Sequence, residues 1–148
     1  MTDRPPVVRP VPAALAVVML LALLIVVAWP NAWAINRAVV RLYYLGHQAG
    51  VPRVVTPDHW AAALNVALFV PATALVLLAL PRLRWWWVLG TAILGSVAIE
   101  VVQGMGSTRE GSLSDVVTNT LGAAIGCLLV VQGRTRRRRG TSESPGEA

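Results

Sequence analysis

The chain has 148 residues, 55% of them hydrophobic and only 14% charged, and its mean hydropathy is +0.61. Soluble domains carry about a quarter charged residues, so this composition excludes one and places the chain in the membrane class. The net charge is +6 and all thirteen basic residues are arginine, five of them clustered at Arg134 and Arg136 to Arg139; that placement reads as a topology signal and argues against a nucleic-acid-binding face.

Taken in chain order, residues 1–12 carry Pro5, Pro6, Pro10 and Pro12 and are expected to form a disordered tail. A first apolar segment covers about residues 13–35. Ala32-Trp33-Ala34 has the small-x-small pattern of a signal-peptidase site, but the long apolar stretch and the proline-interrupted basic region before it favour a retained helix. Residues 36–59 read as a loop. It ends in Thr56-Pro57-Asp58-His59, where Thr56 can cap the next helix and Pro57 suits its first position. A second segment covers 60–80, with Pro71 expected to kink it. Arg82 and Arg84 fill a tight turn, a third segment covers 85–103, a short loop covers 104–112, and a fourth segment covers 113–132. Residues 133–148 are basic and polar and are expected to be disordered. The lone Cys127, inside the fourth segment, offers neither a disulfide nor a thiolate metal site.

Each segment is about 18 to 23 residues long, which suits a hydrocarbon core about 30 Å thick at 1.5 Å rise per residue. The expected fold is therefore an all-α membrane protein, a four-transmembrane-helix bundle over residues 13–132. Arg4, Arg9, Arg82, Arg84 and the C-terminal cluster lie on one side, against Arg37, Arg41, Arg53 and Arg109 on the other. The positive-inside rule then puts both termini in the cytoplasm. Trp29, Trp33, Trp60 and Trp85 to Trp87 fall at segment ends, as an aromatic belt requires.

Polar residues inside apolar runs mark the candidate site, because an ionisable group at such depth costs roughly 2.5 to 3.5 kcal/mol on insertion scales. Glu100 and Gln103 share one face near the outer end of the third segment, about 60° apart around the axis. Asp115 and Asn119 share a face at the outer start of the fourth, and Asn65 joins them from the second. Arg109, in the connecting loop, hangs over this layer. Its polar groups point to an extracytoplasmic site.

The Glu100-x-x-Gln103 pair, the loop Arg109 and Asp115-x-x-x-Asn119-x-x-Gly122-x-x-x-Gly126 resemble the signature of the VanZ-like family of small bacterial membrane proteins. Asn65 to Pro71 resembles that family's preceding segment, although Ala72-Thr73 stands where the family often has glycine. The resemblance covers roughly residues 58–126. It implies a multi-pass protein of the bacterial cytoplasmic membrane, linked to the cell envelope and to glycopeptide antibiotic resistance of the teicoplanin kind.

Bland readings stand beside the functional ones. Ser112 to Asp115 fits a capping box, Asn119 and Gln103 can be interhelical hydrogen-bond glue, and Gly122 and Gly126 suit a close helix contact. His47 and His59 have no acid at metal-ligand spacing, so no metal site and no cofactor is read. Two functional classes remain. In one, Glu100 and Asp115 act as a catalytic acid–base pair or as ligand-binding groups, with Arg109 recognising a phosphate or carboxylate and Asn65, Gln103 and Asn119 orienting the ligand. Membrane lipids or lipid-linked envelope precursors are then the expected partners. In the other, the protein is noncatalytic and acts structurally or by docking a partner. A transporter fits less well, since four short helices leave little room for a pathway unless a homo-oligomer forms.

Overall fold

The computed structural model describes residues 8–28, 32–106 and 112–142. Among them there are five helices and no strand: α1 (Pro10–Ala28), α2 (Ala32–Gln48), α3 (Pro57–Ala79), α4 (Trp85–Gly106) and α5 (Leu113–Ser142). The all-α class is as expected from the composition; the helix count is one higher.

The extra helix arises where a loop was expected, within residues 36–59. Helix α1 ends at Ala28 and α2 begins at Ala32, so the 13–35 run contributes to both. The α2 sequence is amphipathic: Ile35, Val39, Leu42, Tyr43 and Gly46 are turned inward, while Trp33, Arg37, Arg41 and Tyr44 are exposed on the opposite face. Gly50, with φ 94°, closes the helix. The N–H of Val51 reaches the Gly46 carbonyl at 2.9 Å and that of Gly50 the His47 carbonyl at 3.1 Å, the paired bonds of a Schellman motif, which needs a residue with positive φ between them. Gly46 is also where α2 meets α3, since a Cβ there would fall 2.5 Å from the Trp60 ring.

Three helices are long and apolar enough to cross a membrane, over Pro57–Ala79, Trp85–Val102 and Leu113–Arg136; the apolar run of α1, Pro10–Val26, is shorter. The 19 residues of α1 extend about 28 Å, close to the thickness of a hydrocarbon core. Its side chains are apolar all round and largely exposed, Leu15 by 50%, Val18 by 61% and Leu24 by 60%, as suits a helix facing lipid. Helix α3 opens at Pro57 with Thr56 in the N-cap position, and the Thr56 N–H donates to His59 Nδ1 at 3.2 Å.

The C-terminal tail expected to be disordered from residue 133 is instead helical to Ser142. Arginine is a good helix former, and a positive cluster at a helix C-terminus lies favourably in the helix dipole. Arg134 makes use of that reach. Its guanidinium donates to the carbonyl of Leu77 in the last turn of α3, one of the carbonyls a helix end leaves without an internal donor. Replacing Arg134 with Ala should lower stability by about 1 kcal/mol, whereas Arg136→Ala, at an exposed neighbour, should be near neutral. Melting both variants in detergent checks this, and equal losses would show that the Leu77 bond contributes nothing of its own.

Helix α3 is central. It packs most extensively on α5, carries α1 on its other flank, and touches α4 only lightly, while α4 packs on α5. Apolar burial concentrates at the end where α3 turns into α4: Leu77, Val88, Cys127 and Val130 form the core there, with Ala74, Val76, Leu83 and Leu89 against it. The opposite end holds the polar groups.

Candidate functional site

The α3–α5 seam brings two of the predicted residues, Asn65 and Asp115, together. Gly122 and Gly126 let the two backbones approach: a Cβ at Gly122 would stand 2.8 Å from the Val66 carbonyl oxygen, and one at Gly126 would overlap Thr73 Oγ1 and the Val70 carbonyl. Thr73 fits at this contact because its hydroxyl turns to the Phe69 carbonyl at 2.9 Å and the Ala123 carbonyl at 3.3 Å. With the helices this close, Asn65 reaches the first turn of α5. Its Nδ2 donates to Asp115 Oδ1 at 3.1 Å and to Thr118 Oγ1 at 3.3 Å. Thr118 was not singled out in the sequence, although its place three residues after Asp115 puts it on the same face.

Asp115 is thereby drawn towards α3 and away from the capping box that Ser112 to Asp115 suggests. The Ser112 N–H, which such a box would give to Asp115, goes to Glu100 Oε2 of α4 at 2.5 Å. The first turn of α5 is therefore held from two flanks, by Glu100 on the α4 side and by Asn65 through Asp115 on the α3 side. Among the described residues no hydrogen bond joins the two carboxylates.

Asn65 and Asp115 line a cavity of about 760 Å³ bounded by α1, α2, α3 and the start of α5. Its other walls are mostly apolar, including Ile25, Val26, Ile35, Val39 and Leu68, with Asn36 and Asp58 as further polar groups. Few polar groups in an apolar cavity of several hundred cubic ångströms is the usual composition of a ligand site. Asn36 is not among the predicted site residues because its face depends on α2, where a loop is expected, and Asp58 is not because it stands in the first turn of α3, ahead of the apolar run. Glu100 and Asn119 do not line this cavity. Asn119 is 7% exposed inside the helix packing, and among the described residues its Oδ1 has no partner. Gln103 lies in α4, but its side chain, like the whole of Arg109, falls outside the described residues.

The VanZ/LLP1 family model matches residues 14–134, most of the chain. Comparison with curated proteins and comparison with solved structures each return no match.

Proposed function

The chain belongs to the VanZ/LLP1 family of membrane proteins, and from that membership we propose that it binds the polar head of an envelope lipid or lipid-linked precursor in the cavity beside Asn65 and Asp115. On this reading α1 is the fourth span, the cavity opens on the extracytoplasmic side of the bacterial cytoplasmic membrane, and ligand binding is the route to teicoplanin resistance. The observation that carries it is the Asn65–Asp115–Thr118 cluster at the edge of a 760 Å³ cavity in otherwise apolar helices. The carboxylate holds one Asn65 hydrogen bond on one oxygen, and a headgroup hydroxyl or amine can donate to the other. Thr118, which accepts the second Asn65 hydrogen bond, holds the amide in place beside that carboxylate.

A second reading, a noncatalytic bundle whose polar groups serve its own architecture, is favoured for Glu100 by its bond to the Ser112 N–H. The two readings part at Asp115. Asp115→Ala should keep the melting temperature within a few degrees, because one interhelical hydrogen bond in a membrane is worth about 0.6 to 1.7 kcal/mol. Binding of a lipid-linked precursor, followed by native mass spectrometry of the detergent-solubilised chain, should fall at least about tenfold, as expected for a lost charge-assisted bond. In cells, the same variant should lose any rise in teicoplanin tolerance that the wild-type chain confers. Undiminished precursor binding by a folded Asp115→Ala chain would sink the proposal.

A further inference from the structure

Helices α1 and α4 both border α3 without packing closely on each other. The gap between them is a second cavity, of about 420 Å³, lined mainly by apolar side chains including Leu20, Leu23, Phe69, Val76, Val88 and Ile99. Its hydroxyls are few: Thr73 and Thr91 bond carbonyls of their own helices, at 2.9 and 2.8 Å, and Ser96, 1% exposed in the crevice wall, has no hydrogen-bond partner for its Oγ among the described residues. Along α4 the crevice runs from Trp87 to Ile99, about 18 Å at 1.5 Å per residue. One leaflet of a bilayer offers about 15 Å of hydrocarbon. In a chain with membrane-spanning helices, an apolar crevice of that length is matched to an acyl chain.

The charge at one end says which lipid. Leu83, which lines the crevice, sits between the exposed Arg82 and Arg84 in the α3–α4 turn. Arg84 Cζ lies 3.5 Å from the Trp86 ring centroid, a cation–π contact that holds the guanidinium at this end of the crevice, and a guanidinium can bind a phosphate in bidentate fashion. The Arg9 N–H meets the Ala79 carbonyl and the Arg134 guanidinium the Leu77 carbonyl, so two more arginines gather at the same end.

We propose that this crevice binds one anionic phospholipid, with an acyl chain between α1, α3 and α4 and its phosphate held by Arg82 and Arg84. The site is independent of the headgroup cavity proposed above, from which α1 separates it. Free phosphate shares the headgroup chemistry but leaves the apolar crevice unused, and the test distinguishes the two.

Native mass spectrometry of the full chain in detergent, with phosphatidylglycerol and phosphatidylcholine of identical acyl chains, provides that test. Phosphatidylglycerol should be retained about tenfold more than phosphatidylcholine, in keeping with two arginines near an anionic surface. The double variant Arg82→Gln/Arg84→Gln should lower phosphatidylglycerol to the phosphatidylcholine level. Gly95→Leu should reduce both lipids: Gly95 lines the crevice with no atom within 4 Å of an added Cβ, so the leucine fills the space and leaves the fold intact. Arg37→Gln/Arg41→Gln, the same charge change on α2, should alter neither. Equal retention of the two lipids, indifference to Gly95→Leu, an equal loss with the α2 variant, or displacement by glycerol 3-phosphate at matched concentration would each overturn the proposal.

Discussion

Gly126→Ala is expected to destabilise the protein by about 2 to 3 kcal/mol, at the upper end of what overpacking costs. The methyl would overlap Thr73 Oγ1 and the Val70 carbonyl, and the second of these is backbone of a helix fixed by its own hydrogen bonds. Overpacking costs about 1 to 3 kcal/mol where neighbours can shift. Here relief requires α3 and α5 to separate, which takes Asn65 away from Asp115. Gly90→Ala is the matched control. Nothing lies within 4 Å of a Cβ at Gly90, so in the interior of α4 the substitution should stabilise by up to about 1 kcal/mol through helix propensity. Thermal unfolding in one detergent should therefore move in opposite directions for the two variants. A Gly126→Ala chain that melts with the wild type would show that the α3–α5 approach is not close at that point.

The second large effect is expected at Glu100, where the size of the side chain and its charge can be separated. Glu100→Ala leaves the half-buried Ser112 N–H without its acceptor and should cost about 1.5 to 3 kcal/mol, the range for a hydrogen bond to a charged group. Glu100→Gln keeps an oxygen in place and should recover about half of that loss. If Glu100 acts chiefly through α5, teicoplanin tolerance and precursor binding should follow stability across the series Glu, Gln, Ala. A catalytic carboxylate predicts another pattern: Glu100→Gln folded yet as inactive as Glu100→Ala. Measuring melting temperature and binding on the same three preparations decides between them. For Asp115 the order should reverse, with binding lost while stability holds.

Much of the spanning architecture was legible because bilayer constraints act on local sequence. The runs behind α3, α4 and α5 are apolar for 18 residues or more, and the tight turn at Arg82 to Arg84 and the start at Pro57 carry their own punctuation. The glycine pair at positions 122 and 126 could be read as a helix contact for the same reason, since spacing four places both on one face. Helix α2 was lost because a search for apolar runs passes over a helix that is half polar; its 3.6-residue pattern, Ile35, Val39, Leu42 and Gly46, was present all along. The helical arginine cluster was lost because charge and low hydropathy look the same in a tail and in the end of a helix that has already left the membrane.

The sequence by itself determined the membrane class, three helices apolar enough to span and which polar residues interrupt the apolar runs, since each follows from what hydrocarbon tolerates over short stretches of chain. Which of those residues act together was decided by tertiary structure alone. Glu100, Asp115, Asn119 and Asn65 belong to the same end of the bundle by their positions along the helices, yet height does not fix direction. The close α3–α5 contact turns Asp115 to Asn65 and the cavity, the α4–α5 contact gives Glu100 to the Ser112 N–H, and Asn119 is enclosed in the packing. The physical reason is rotational. A helix sets the height of a side chain through its rise per residue, but the azimuth at which it meets a neighbour depends on how the neighbouring surfaces pack, and here that is governed by glycines a turn or more away.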